Sequence, residues 1–191
     1  GTEGEVPVGP TARAQWIWSD SIRQLPFDTA EAKRLLDASG WRDANGDGVR
    51  EKAGKPLRFT LLLPTTSRSR QDAAVLIQAQ LRAIGVEMRL LPLEFALFEE
   101  RSVRRDFDAT FQARTLDASP ASILQLFGGE GAHQSNYGGY ASPTFDALAR
   151  RAIETPARAA ALPLWRRALE TLNDDAPALF VFSPPFSAAV H

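Results

Sequence analysis

The carboxylates of Asp43-Ala44-Asn45-Gly46-Asp47-Gly48 are the first groups in this chain whose spacing could do chemistry. Oxygen-bearing side chains on alternate residues, with a glycine for the sharp turn, reproduce the first half of an EF-hand calcium loop. The twelfth position is Gly54, where a bidentate Glu is needed, and a strand pattern follows where an EF-hand has a helix. The expectation is a side-chain-stabilised turn leading into a hairpin, and no metal ligand is assigned. Gly128-Gly129-Glu130-Gly131 has the composition of a phosphate cradle. It lacks the Lys-Ser/Thr pair and the strand-to-helix setting of a P-loop, so it reads as a loop. His133 near Ser135 could be a base and a nucleophile, but no acid stands in register to orient the imidazole. Asp106 and Asp108 flank Phe107. Alternate strand residues point to opposite faces, which makes them edge charges rather than an acid–base pair. No catalytic residue is assigned, and the chain is expected not to be an enzyme. Among the tryptophans, Trp41 and Trp165 fall at helical apolar positions and are expected in the core. Trp16 and Trp18 flank Ile17 in an irregular stretch and remain candidates for ligand contact.

Composition narrows the classes further. The chain has 191 residues, 44% hydrophobic and 24% charged, with a formal net charge of −1. These are globular values, without the basic surplus that drives nucleic-acid or anionic-membrane binding. There is no Cys, so disulfides, thiolate zinc sites and Cys nucleophiles are excluded. With only two His, His133 and the last residue His191, a His-built metal site is not expected, nor is a cofactor. No apolar run approaches the ~20 residues of a membrane span, so direct membrane insertion is not expected. The opening Gly1-Thr2-Glu3-Gly4-Glu5 is no signal peptide, and the Pro/Gly-rich start without Met reads as excised from something longer.

The elements that must position these residues follow from periodicity. Residues 1–26 read as an irregular lead-in. Asp28-Thr29-Ala30-Glu31 matches a capping box, Ala32, Leu35, Leu36 and Trp41 supply an apolar face, and Gly40 ends the helix. Leu57–Leu63 is a strand, apolar on both faces at its end and stopped by Pro64. Gln71–Ala83 is a helix whose stripe includes Ala74, Ile77, Gln78 and Leu81, and Gly85 stops it. Val86–Leu91 alternates as a strand, so residues 57–91 form a βαβ unit with parallel strands. A short helix over Glu94–Ser102 and a strand over Phe107–Ala113 continue the alternation. A short helix near Ala121–Phe127 interrupts a loop-rich stretch. Two helices follow, one starting at Pro143-Thr144 and one with Pro156 in its first turn. The run Ala178–Phe182 reads as a buried strand, ended by Pro184-Pro185.

The ordered series of motifs resembles one family. It runs from the capped helix and Gly40-Trp41 through the Asp-Asn-Gly-Asp-Gly turn to Gly54-Lys55-Pro56-Leu57. Ile77–Leu81 with Ile84-Gly85-Val86 and Asp106-Phe107-Asp108-Ala109 come next. Asn136 with Gly139-Tyr140, Ser142-Pro143 with Asp146-Ala147-Leu148, and Asp175-Ala176-Pro177 complete it. Over about residues 5–183 the chain is similar to the C-terminal lobe of the family 5 extracellular solute-binding proteins, the oligopeptide and dipeptide receptors of ABC importers. The resemblance implies an α/β fold, one lobe of a periplasmic-binding-protein type II architecture with a mixed sheet flanked by helices. Residues 1–191 would then be a single ligand-binding lobe, with 1–26 leading in from a missing one. It implies non-catalytic capture of a peptide or similar small solute, delivery to ABC permease membrane subunits, a periplasmic location and a monomer. In peptide-binding members an Asp shortly after a Trp pairs with the peptide α-ammonium. Asp117 matches that Asp, while the Trp position carries Arg114, which leaves room for an anionic or otherwise atypical ligand. An ammonium removed from water needs such a carboxylate. Taken locally, Asp117 or Ser119 could instead cap the helix after Pro120. Two other classes stay open on the residues alone: the ligand-sensing domain of a transcriptional regulator, and a metal-assisted hydrolase domain. The poor calcium loop and the scarcity of His argue against the second.

Overall fold

Asp28 starts the first helix. Its Oδ1 accepts from the N–H groups of Ala30 and Glu31, both at 2.9 Å, and caps α1 (Thr29–Ala38). Glu31 turns to Arg34 rather than completing a reciprocal box, and that bond holds its carboxyl below the usual range. At the other end Gly40 takes φ +85°, and Trp41 N–H bonds the Leu36 carbonyl across it, a Schellman stop. The expected apolar face is not buried: no residue of α1 is, and Leu35 is 51% exposed. The computed structural model describes residues 6–129 and 135–183. The chain divides into two compact units, residues 27–113 in one and residues up to 26 with those from 114 onward in the other. Glu130, Gly131, His133, His191 and the Pro184-Pro185 stop lie outside the described residues.

In the first unit, Asp43 closes the turn that follows α1. Its carboxylate accepts from Gly46 N–H at 2.8 Å and Gly48 N–H at 2.9 Å, while Asn45 and Asp47 accept from Asp47 and Val49 N–H. The turn leads into an antiparallel hairpin of β1 (Glu51–Lys52) and β2 (Lys55–Pro56), with Ala53 and Gly54 at positive φ between them. Asp43→Ala leaves two of these N–H groups without their acceptor. It is expected to cost about 1 kcal/mol of stability, read as a lowered urea midpoint.

The βαβ unit forms as expected. β3 (Arg58–Pro64) pairs in parallel with β4 (Glu87–Leu93), Leu61 opposite Leu90 and Leu62 opposite Leu91. Between them runs α2 (Arg68–Arg82). Ala74 is fully buried against the sheet, with Ile77 and Leu81 packed beside it, and Gln78 Nε2 donates to the Met88 carbonyl at 2.8 Å. Gly85, at φ +85°, makes the return; a side chain there would meet Arg50 Cγ at 2.7 Å. Arg50 lies under that turn, donating to Ile84 O, Trp41 O and Asp37, and so ties the ends of α1 and α2 to the hairpin. Its bond to Asp37 holds α1 near its C-terminal end. α3 (Phe95–Val103), capped by Glu94, buries Phe98 and Ser102. The strand expected over Phe107–Ala113 shortens to β5 (Ala109–Thr110), parallel to β3, in a sheet of order β4-β3-β5. Its start is held by Asp108, whose Oδ2 accepts from Thr60 N–H at 2.8 Å, and Asp106 pairs with Arg101. Both acids are thus structural edge charges.

In the second unit, α4 (Ala121–Phe127), α5 (Pro143–Ile153) and α6 (Arg158–Asp175) surround one core. Ser142 caps α5 and Pro143 occupies its first turn. Pro156 is not in the first turn of α6; it precedes the N-cap Ala157, because a proline biases the residues around it away from helix. The proline inside the helix is Pro163. Phe145, Ala149 and Ala152 from α5 meet Ala161, Trp165, Ala168, Leu169 and Leu172 from α6 at helical spacing, the alanines allowing close approach. Val8, Ile17 and Ile22 of the lead-in complete this core. The run Ala178–Phe182 is not a buried strand: it joins no sheet among the described residues, and Leu179 is 73% exposed. An apolar run becomes a strand only where another strand offers it a ladder, and none of β1–β5 does so.

Candidate functional site

Of the four residues expected to touch a ligand, all lie in the second unit. Gln15 brings the two segments that carry them together. Its side chain is buried, accepts from Thr11 Oγ1 at 2.8 Å and from Ala12 N–H at 3.0 Å, and donates from Nε2 to the Asp117 carbonyl at 2.6 Å. Thr11 is itself buried, so this network is satisfied internally. The backbone at Asp117 is therefore pinned to the lead-in, one residue from Trp16. The side chain of Asp117 is left exposed, and among the described residues no hydrogen bond or ion pair engages its carboxylate. The capping alternative falls to Ser119, whose Oγ accepts from Ala121 N–H at 3.3 Å.

Arg114 is also exposed, and its guanidinium carbon sits 4.4 Å from the centre of the Tyr137 ring. Cation–π contact of this kind orients a guanidinium while leaving its N–H donors outward. No ion pair joins Arg114 to Asp117. Trp16 and Trp18 are half-buried against the core. One face of each indole carries a guanidinium, Arg158 over Trp16 at 5.6 Å and Arg13 over Trp18 at 4.9 Å. Trp165 is buried as expected; Trp41 is half-buried, in the first unit. Neither Gln15 nor Tyr137 was expected from the sequence. A Thr-x-x-x-Gln spacing in an irregular segment, with an aromatic beyond a glycine-rich loop, gives no periodic signal.

Beside this segment, Asn136 organises the loop before α5. It is buried, donates to Gly128 O at 3.1 Å and Tyr140 O at 2.7 Å, and accepts from Tyr140 N–H at 3.2 Å. Gly129 N–H bonds the carboxylate of Asp146 in the first turn of α5, so this glycine serves a helix start. Tyr140 Oη donates to Asp175 Oδ2 at 2.6 Å. Burial first, then the bond to Asp175, pushes the Tyr140 phenol from 10.0 up to about 12. The sign follows: the folded state favours the neutral phenol. Its stabilisation is complete below pH 10.0 and is lost as pH rises toward about 12. An ultraviolet phenolate titration is expected to show this late step, and Tyr140→Phe to remove it. Among the described residues no group of three or more His, Asp or Glu is arranged to hold a metal ion, and no helix is long and apolar enough to cross a membrane.

Comparison with known proteins places the chain. Residues 2–135 match the family described as bacterial extracellular solute-binding proteins, family 5 Middle. The chain belongs to that family. The oligopeptide-binding protein AppA of Bacillus subtilis is 30% identical over 186 residues, covering 95% of this chain and 34% of the relative. The oligopeptide-binding protein OppA of Mycobacterium bovis is 32% identical over 149 residues, 76% of this chain and 24% of the relative. The structure of AppA from Bacillus subtilis in complex with a nonapeptide superposes with a TM-score of 0.89 at 28% identity, over 95% of this chain and 37% of that one. That of NikZ from Campylobacter jejuni in complex with Ni(L-His) gives 0.84 at 22% identity, over 95% and 37%, a likeness of fold. The chain thus spans about a third of the length of the relatives it matches. The α/β architecture is that of these binding proteins.

Proposed function

We propose that this chain is the ligand-binding part of a receptor that captures a peptide or similar small solute outside the cytoplasmic membrane. The receptor hands that solute to the membrane permease of an ABC importer, and no bond in the solute is made or broken. The observation that carries this reading is the free Asp117 carboxylate on a segment locked by the buried Gln15 network. An unpaired carboxylate is what an incoming ammonium requires, and the backbone that carries it is tied down before the ligand arrives, which lowers the entropic cost of binding. Trp16 and Trp18, half-buried on the lead-in that Gln15 ties to this segment, supply apolar contact for the ligand. Much of the remaining recognition runs through backbone groups, so loose sequence preference is expected. The receptor acts as a monomer that closes on its ligand by a hinge, and its location is periplasmic or extracellular.

Native mass spectrometry of the full-length gene product, purified gently from its own host and then denatured, tests this. Released masses spaced by amino-acid residues support a peptide receptor. A single non-peptide mass keeps solute capture and overturns the peptide. No released solute, with no binding to a peptide library, overturns the reading.

A further inference from the structure

Arg114 and Asp117 present opposite charges on one pinned segment, and they do not neutralise each other. Neither has a charged partner among the described residues, although the second unit carries ion pairs elsewhere: Arg23 pairs with Asp174 and Arg166 with Glu170. Three residues of extended chain separate their Cα atoms by at most about 10 Å. The Arg114 guanidinium lies over the face of the Tyr137 ring, 4.4 Å from its centre, a contact that favours one orientation. A guanidinium oriented in this way offers its N–H fork for a planar oxyanion, and the bidentate geometry suits a carboxylate.

We propose that Arg114 is a specificity-determining residue that selects ligands carrying a carboxylate close to their ammonium, namely peptides with Asp or Glu at one of the first two positions. This rests on the reading of Asp117 as the ammonium partner. The carboxylate of such a side chain lies within the reach that the Arg114–Asp117 spacing sets. The two charges of the site then meet the two charges of the ligand, and neither is left desolvated without a partner. Tyr137 acts through Arg114, as the residue that orients it.

The test is calorimetric titration of the full-length gene product with tetrapeptides of alanine in which the first or second residue is Ala, Glu or Lys. The protein as purified is expected to bind the Glu peptides about tenfold more tightly than the all-alanine one, and the Lys peptides more weakly. In Arg114→Gln the Glu-to-Ala ratio is expected to fall to about one; Arg114→Lys restores part of it, keeping the charge without the fork. A ratio unchanged in Arg114→Gln, or a preference for Lys in the unsubstituted protein, overturns the inference while leaving Asp117 and peptide capture standing. Failure of every peptide to bind the unsubstituted protein overturns both. Should Arg114→Gln not fold, Tyr137→Leu serves in its place, with partial loss of the same ratio expected.

Discussion

Asp117→Asn in the full-length protein is expected to weaken peptide binding by about 2–5 kcal/mol, the usual penalty for leaving one member of a desolvated charge pair alone. Asn keeps the shape of the side chain and can still accept one hydrogen bond, so the loss measures charge. The backbone is not at risk, because the tie to Gln15 uses the Asp117 carbonyl and the start of α4 is held by Ser119. Calorimetric titration with an uncharged-side-chain peptide checks it. Affinity within a factor of about two of the unsubstituted protein removes Asp117 from the site.

Trp165→Ala is expected to cost about 3–5 kcal/mol, enough to unfold a marginal unit. Trp165 is 1% exposed at the centre of α6, and its neighbours Phe145, Ala149, Ala168 and Leu169 are all fully buried. The neighbours are close-packed and can relax into the space only in part, so a cavity remains. Trp165→Phe retains much of the volume and is expected to lose less than half as much. Urea unfolding of both variants, followed by near-ultraviolet dichroism, decides the order. A Trp165→Ala midpoint equal to that of the parent chain would mean that this core is not the one that holds the second unit.

Legibility in the sequence tracks how local the determining physics is. The βαβ unit was readable because Leu61–Leu63, the Ala74–Leu81 stripe and Gly85 each report on their own segment. The first helix was placed by Asp28 and Gly40 for the same reason. Its burial was not readable, since that depends on whether a partner surface exists, and no residue of α1 is buried here. Ala178–Phe182 fails in the same way: its residues suit a strand, but a strand needs a ladder, and none of β1–β5 offers one. The site was half legible. Asp117 and Arg114 entered through resemblance to a family. Gln15, which fixes their backbone, is a hundred residues away in sequence and belongs to no pattern.

That distance has a consequence for the order in which the chain takes shape during synthesis. The first unit is one uninterrupted segment that is complete in sequence once residue 113 has emerged. The second is discontinuous. Val8 O waits for Asn173, Ser21 O for Arg166, and Gln15 for Asp117. Ile17 and Ile22 therefore stay exposed to solvent while more than a hundred further residues are translated. Closing so long a loop is slow, and apolar surface left uncovered over that interval is where a holding chaperone, or an export machine that requires an unfolded passenger, gains its access.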